Sequence, residues 1–123
     1  MDFGFRGEHR LHAAAEFSSV FSARRVLRGE FFDLHYRSDN MPSALPAATA
    51  RLGLVMAKKL ARRAVQRNLL KRLAREAFRH ARPELPRYDM VLRLAKPSGH
   101  DLDQAARRAW RADVEQLLAR LPR

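Results

Sequence analysis

The chain has no cysteine among its 123 residues, so neither a disulfide framework nor a thiolate metal site is open to it. Glycine is scarce, at five residues, and none falls in a loop able to cradle a phosphate. No apolar run reaches the roughly 18 residues that a membrane-spanning helix needs. The first ten residues carry Asp2, Arg6, Glu8, His9 and Arg10 around no apolar segment, unlike a secretory signal. Acids are also few: 13 Asp and Glu stand against 25 Lys and Arg, leaving a formal charge of +12. What is present is ordinary for a folded protein, with 46% hydrophobic residues. Length and composition predict one cytoplasmic domain spanning residues 1–123.

The positive charge is concentrated. Between Arg51 and Arg82 stand 11 of the basic residues and a single acid, Glu76. Clustered like charge repels itself, and a polyanionic partner relieves that repulsion. A nucleic acid or an acidic surface therefore fits better than a merely solvated helix.

Ala13, Ala14, Phe17, Val20 and Phe21 recur at spacings of three and four, predicting a short helix within 11–25. Gly29 breaks that pattern. Phe31 to Arg37 reads as a strand, with Phe32, Leu34 and Tyr36 on one face and Phe31, Asp33 and His35 on the other. Residues 38–50, with Pro42 and Pro46, read as a loop, and Leu52 to Ala57 as a buried strand. A long helix then runs from about Arg62 to His80. On a wheel started at Val65, Leu69, Leu70, Leu73, Ala74 and Ala77 fill one side. Arg67, Asn68, Lys71, Arg72, Arg75 and Arg79 fill the other, with Phe78 on the seam and Glu76 away from the basic ladder. Like charges one turn apart destabilise a helix by roughly 0.2–0.5 kcal/mol per pair, so the ladder is better explained by a partner than by stability. Pro83 and Pro86 end this helix, and Tyr88 to Ala95 gives a third strand. Asp101 or Ser98 can cap a last helix over about 102–121, whose apolar stripe, including Trp110, reads as core. The predicted order is α-β-β-α-β-α.

Catalytic groups are sparse. His9, His12, His35, His80 and His100 show no metal-ligand spacing, and no nucleophile elbow is present. Asp101 and Asp103 stand at a helix start, where capping accounts for them. Binding groups are plentiful by comparison. Arg67, Lys71, Arg75 and Arg79, with Lys58 and Lys59 before the helix, can follow a phosphate backbone. Phe17 and Phe21, four residues apart, are either core or a stacking platform for unpaired bases. The alternative to a dedicated assembly is a general RNA-binding module such as a ribosomal protein.

Two runs carry a more specific signal. Arg51-Leu-Gly-Leu-Val-Met-Ala-Lys-Lys59 is followed by Ala64-Val-Gln-Arg-Asn-Leu-Leu-Lys-Arg-Leu-Ala-Arg-Glu-Ala-Phe-Arg79. Together they resemble the protein subunit of bacterial ribonuclease P, whose pattern joins a Gly-apolar-Lys-Lys strand end to an Arg-Asn-Arg-x-Lys-Arg-x-x-Arg-Glu helix. Arg10-Leu11, the Phe17/Phe21 pair, the aromatic first strand and Leu85-Pro86-x-x-Asp89 extend the match over nearly the whole chain. One position departs: Leu69 stands where the family usually has a basic residue.

The resemblance implies an α/β (α+β) sandwich with a small mixed sheet and an uncommon left-handed βαβ crossover around the signature helix. It also implies a ribonucleoprotein endonuclease that removes the 5′ leader of precursor tRNA, whose RNA subunit cuts with Mg²⁺. No metal on the protein is implied. The protein would bind that RNA through Arg62, Arg63, Arg67, Asn68, Lys71, Arg72, Arg75 and Arg79, with Lys58 and Lys59 at the strand end. Phe17 and Phe21 would line a leader cleft, with either Phe31 and His35 or Phe32 and Tyr36 added from the first strand, burial favouring Phe32 and Leu34 inward. The chain would act as a monomer within the holoenzyme and broaden its substrate range.

Overall fold

The computed structural model describes residues 10–11, 14–37, 50–99 and 102–122. The elements are α1 (Ala14–Ser22), β1 (Arg25–Arg28), β2 (Phe32–Arg37), β3 (Arg51–Val55), α2 (Ala64–Ala81), β4 (Asp89–Leu94) and α3 (Gln104–Ala119), with a 3-10 turn at Arg82–Glu84 after α2. The expected order lacks β1, a four-residue strand that pairs with β2 as an antiparallel hairpin after α1. His9, His12, His100, Asp101 and the Pro42–Thr49 stretch lie outside the described residues.

The four strands form one sheet in the order β1-β2-β4-β3. β1/β2 and β2/β4 are antiparallel, whereas β3 and β4 are parallel, joined by α2. Registers fix two chemically distinct faces. Leu27, Leu34, Leu92 and Leu54 stand in one row, and Tyr36, Met90 and Leu52 in another, all against α2 and α3. Phe78, Leu70, Trp110 and Leu117 complete that core. The opposite face carries Val26, His35, Val91 and Gly53 in one row, with Arg28, Asp33 and Arg93 beside them. There α1 lies across the sheet, burying Val20 against Leu11 and Val91.

Helix ends explain the element boundaries. α3 begins at Asp103, whose carboxylate accepts the Ala106 amide at 2.8 Å. Ser98, the other described candidate for that cap, instead donates its hydroxyl to Leu60 O at 3.3 Å. The Asp113 carboxylate of α3 accepts the amides of Glu30, Phe31 and Phe32 at 2.8, 2.9 and 3.0 Å, which clamps the β1–β2 turn onto the helix.

Candidate nucleic-acid interface

α2 starts without a side-chain cap and without an acid in its first turn. Lys58, Lys59, Arg62 and Arg63 gather at this end, all exposed. Cations at a helix N-terminus oppose the helix dipole, so the arrangement is unfavourable alone and favourable beside an anion. Lys59, Arg62, Arg63 and Gln66 line a cavity of about 540 Å³ with the Pro97–Gly99 turn. Gln66 is buried and its amide donates to Gly99 O, fixing the turn against the helix.

Along α2 the basic side chains divide by what they touch. Asn68 and Arg72 are exposed and line a groove shared with Leu102 and Arg107. Arg67 folds back, donating to Ala61 O at 2.9 Å and Arg62 O at 3.0 Å, so it stiffens the approach to the helix. Arg79 pairs with Glu76 at 2.5 Å, three residues away, contrary to the expectation that Glu76 lies apart from the ladder. Hydrogen bonding from Arg79 holds the Glu76 carboxyl below its ordinary pKa. Lys71 and Arg75 flank the other side and reach the outer edge of β3.

At that edge the α2 face meets α1. Arg10, Leu11, Phe17, Gly53, Lys71 and Arg75 enclose a cavity of about 160 Å³. Arg10 bridges to Leu52 as a short parallel extension, and the Leu11 amide donates to Leu52 O at 3.3 Å. Phe17 lies directly on Gly53: a Cβ there would stand 2.5 Å from the ring. Further along α1, Phe21 is 36% exposed and meets the His35 ring edge-on, with centroids 4.7 Å apart. Burial first, then Arg93 and Arg28, lower the His35 pKa, with Asp33 opposing them. His35 Nε2 is buried without a hydrogen-bond partner among the described residues. Arg51 anchors the start of β3, donating to Asp89 at 2.8 and 2.7 Å and to Glu16 of α1 at 2.6 Å. These bonds, those to Asp89 foremost, raise its pKa and keep it charged.

Phe17, Phe21 and His35 thus come together between α1 and the sheet, but two expected companions do not. Tyr36 faces the main core and stacks on Tyr88 at 5.6 Å. Phe31 precedes β2 and also packs against the main core. For Tyr36 the physical reason is parity: β2 runs from Phe32, so every second residue from there turns away from α1. Phe31 would share the His35 face by alternation, but it stands in the turn before β2, where its amide is held by Asp113 of α3. Sequence reasoning also missed Arg28 and Arg93, which hold buried Asp33 at 3.2 and 3.3 Å beside His35. The alternation of Met90, Leu92 and Leu94 was the signal that Arg93 faces the other way.

Comparison with known proteins gives one answer. The family model described as Ribonuclease P matches residues 5–122. A ribonuclease P protein component from Azoarcus sp. (strain BH72) is 54% identical, the alignment covering 98% of this chain and 92% of the relative. One from Aromatoleum aromaticum is 47% identical over the same shares of each. Among solved structures, an RNase P protein from Thermotoga maritima superposes with a TM-score of 0.76 at 27% identity, covering 92% of this chain and 100% of that one. With a four-stranded mixed sheet, three helices and a basic α2 at its parallel crossover, the chain belongs to the ribonuclease P protein family.

Proposed function

We propose that this chain acts as one RNA-binding domain which holds the catalytic RNA of ribonuclease P on α2 and the 5′ leader of precursor tRNA between α1 and the sheet. The observation that carries the reading is the joining of two chemistries at one edge. A basic helix face suited to phosphates abuts a cavity holding Phe17, with the exposed Phe21 ring further along α1 against His35. Aromatic rings beside basic side chains are what a single strand with unstacked bases requires. Lys58, Lys59, Arg62, Arg63, Asn68, Lys71, Arg72 and Arg75 form the RNA face, with Arg79 available once it leaves Glu76.

Mg²⁺ ions held by the RNA would supply the activated water at the scissile phosphate. Among the described residues no three His, Asp or Glu side chains gather as a metal site requires, and the protein's own residues bind and orient. The working unit is one copy of the chain per cytoplasmic holoenzyme, and its grip on the leader extends the range of precursors cleaved.

Lys71→Glu or Arg72→Glu should weaken assembly with the catalytic RNA and flatten its salt dependence by about 0.7–0.9 per lost contact. Unchanged affinity and slope would remove the RNA face from α2. Phe17→Ala should weaken binding of precursor tRNA more than of mature tRNA. Equal losses would remove the leader from the cleft.

A further inference from the structure

Two large apolar side chains are exposed among the described residues: Phe21, in the cleft already discussed, and Val65, at 58%. Val65 is solitary on a helix face that is otherwise polar, and a lone exposed valine would ordinarily need no explanation. Its surroundings supply one. Between α2 and the start of α3 runs a groove of about 570 Å³, within the size range of small-ligand sites. Val65, Leu69 and Leu102 give it an apolar lining, and Arg72, Arg75 and Arg107 give it three positive charges. No acid lines it.

Two of those arginines are prepared for a ligand in different ways. Arg107 is exposed, yet its Nε donates to Leu102 O at 2.8 Å, which holds the guanidinium at the groove. Arg75 Nε is buried with no hydrogen-bond partner among the described residues, an unfavourable state that an anion relieves. Leu69 is almost fully buried at 6% exposure, at the one motif position that departs from the family's usual basic residue. An apolar surface ringed by cations fits a group that is flat and uncharged in its body and anionic on its tether. An acidic peptide would use the cations and leave the apolar lining idle. An unpaired nucleotide uses both.

We propose that the α2–α3 groove receives one unpaired nucleotide of the catalytic RNA, its base against Val65, Leu69 and Leu102 and its phosphates against Arg72, Arg75 and Arg107. The catalytic RNA is the source because the groove is continuous with the α2 face that holds it. This inference rests on the RNA-binding reading above and adds to it a base pocket and a contact from α3.

Two measurements on the full chain with its cognate ribonuclease P RNA test it. Val65→Cys would carry the molecule's sole thiol, so a benzophenone can be placed there alone. Photocrosslinks in the assembled complex should map to one or two adjacent unpaired nucleotides of the catalytic RNA. Separately, Val65→Thr keeps shape and charge and should weaken binding about threefold with an unchanged salt slope, since an apolar contact releases no counterions. Arg107→Ala should weaken binding and reduce the slope by about 0.7–0.9. Crosslinks that fall on tRNA, on paired helices or nowhere, together with wild-type binding by both substitutions, would overturn the pocket. If Lys71→Glu still weakens assembly in that case, the RNA face of α2 stands and only the groove is lost. A wild-type chain that does not bind the RNA at all would overturn both.

Discussion

Three positions show how much single residues decide here. Asp113 satisfies three consecutive amides of the β1–β2 turn while its carboxylate fills the space above Gly29, where a Cβ would stand 2.6 Å from an oxygen. Asp113→Ala leaves three donors unpaired around a buried gap and should cost about 3 kcal/mol, read as a melting point lower by roughly 10 °C. A loss under a third of that would mean that water replaces the carboxylate. His35 makes the opposite kind of contribution. Its folded-state pKa lies below the ordinary 6.5, so the unfolded chain takes up the proton more readily. Its effect is therefore absent well above 6.5 and destabilises progressively as pH falls through that value toward the folded pKa. Thermal melts of His35→Asn should lose less stability than wild type between about pH 7 and pH 5; parallel curves would show that the ring titrates freely. Gly53 explains a motif glycine by contact rather than by backbone freedom. The Phe17 ring occupies the place of its missing side chain, so Gly53→Ala must displace that ring. Precursor tRNA should then lose more affinity than mature tRNA, as with Phe17→Ala.

At the scale of elements, α2 was the most legible and also the most instructive. Its two-sidedness follows from apolar spacing, and Leu69, Leu70, Ala74 and Ala77 are buried as the wheel requires. The phase was not legible. A wheel started at Val65 sets that residue at the border of the apolar arc, yet it lies outside while Gln66 and Phe78 are fully inside. Gln66 is held by Gly99, 33 residues on, and no local pattern reports a partner so distant. β1 was missed for a related reason: Arg25-Val-Leu-Arg28 is too short for alternation to register, and its pairing with β2 creates it. The Glu76–Arg79 pair carries a prediction of its own. Glu76→Gln frees one guanidinium and removes the sole acid of α2, so affinity for the catalytic RNA should rise severalfold and the salt slope should steepen by up to about 0.9. A flat slope with unchanged affinity would show that Arg79 meets no phosphate.

For the molecule as a whole, the sheet's β3 edge is where the two proposed RNA surfaces become one. Lys71 and Arg75 come from a helix on one face of the sheet, Phe17 from a helix on the other, and they share a cavity because β3 is the last strand on that side. The parallel β3-α2-β4 crossover produces this, since it carries α2 along the edge that α1 and the Arg10–Leu11 bridge approach from the opposite face. Residues that share a cavity do not act independently, whereas distant ones add within about 0.3–0.5 kcal/mol. Phe17→Ala and Arg75→Ala, measured singly and together for precursor tRNA binding to the holoenzyme, should therefore be non-additive by at least about 0.5 kcal/mol. The same cycle between Phe17 and Arg107, which lines the α2–α3 groove but not this cavity, should close to additivity. Additivity in both cycles would mean that the leader and the catalytic RNA occupy the protein as strangers. Coupling in the first alone would identify the β3 edge as the point where the substrate strand and the catalytic RNA are brought into register.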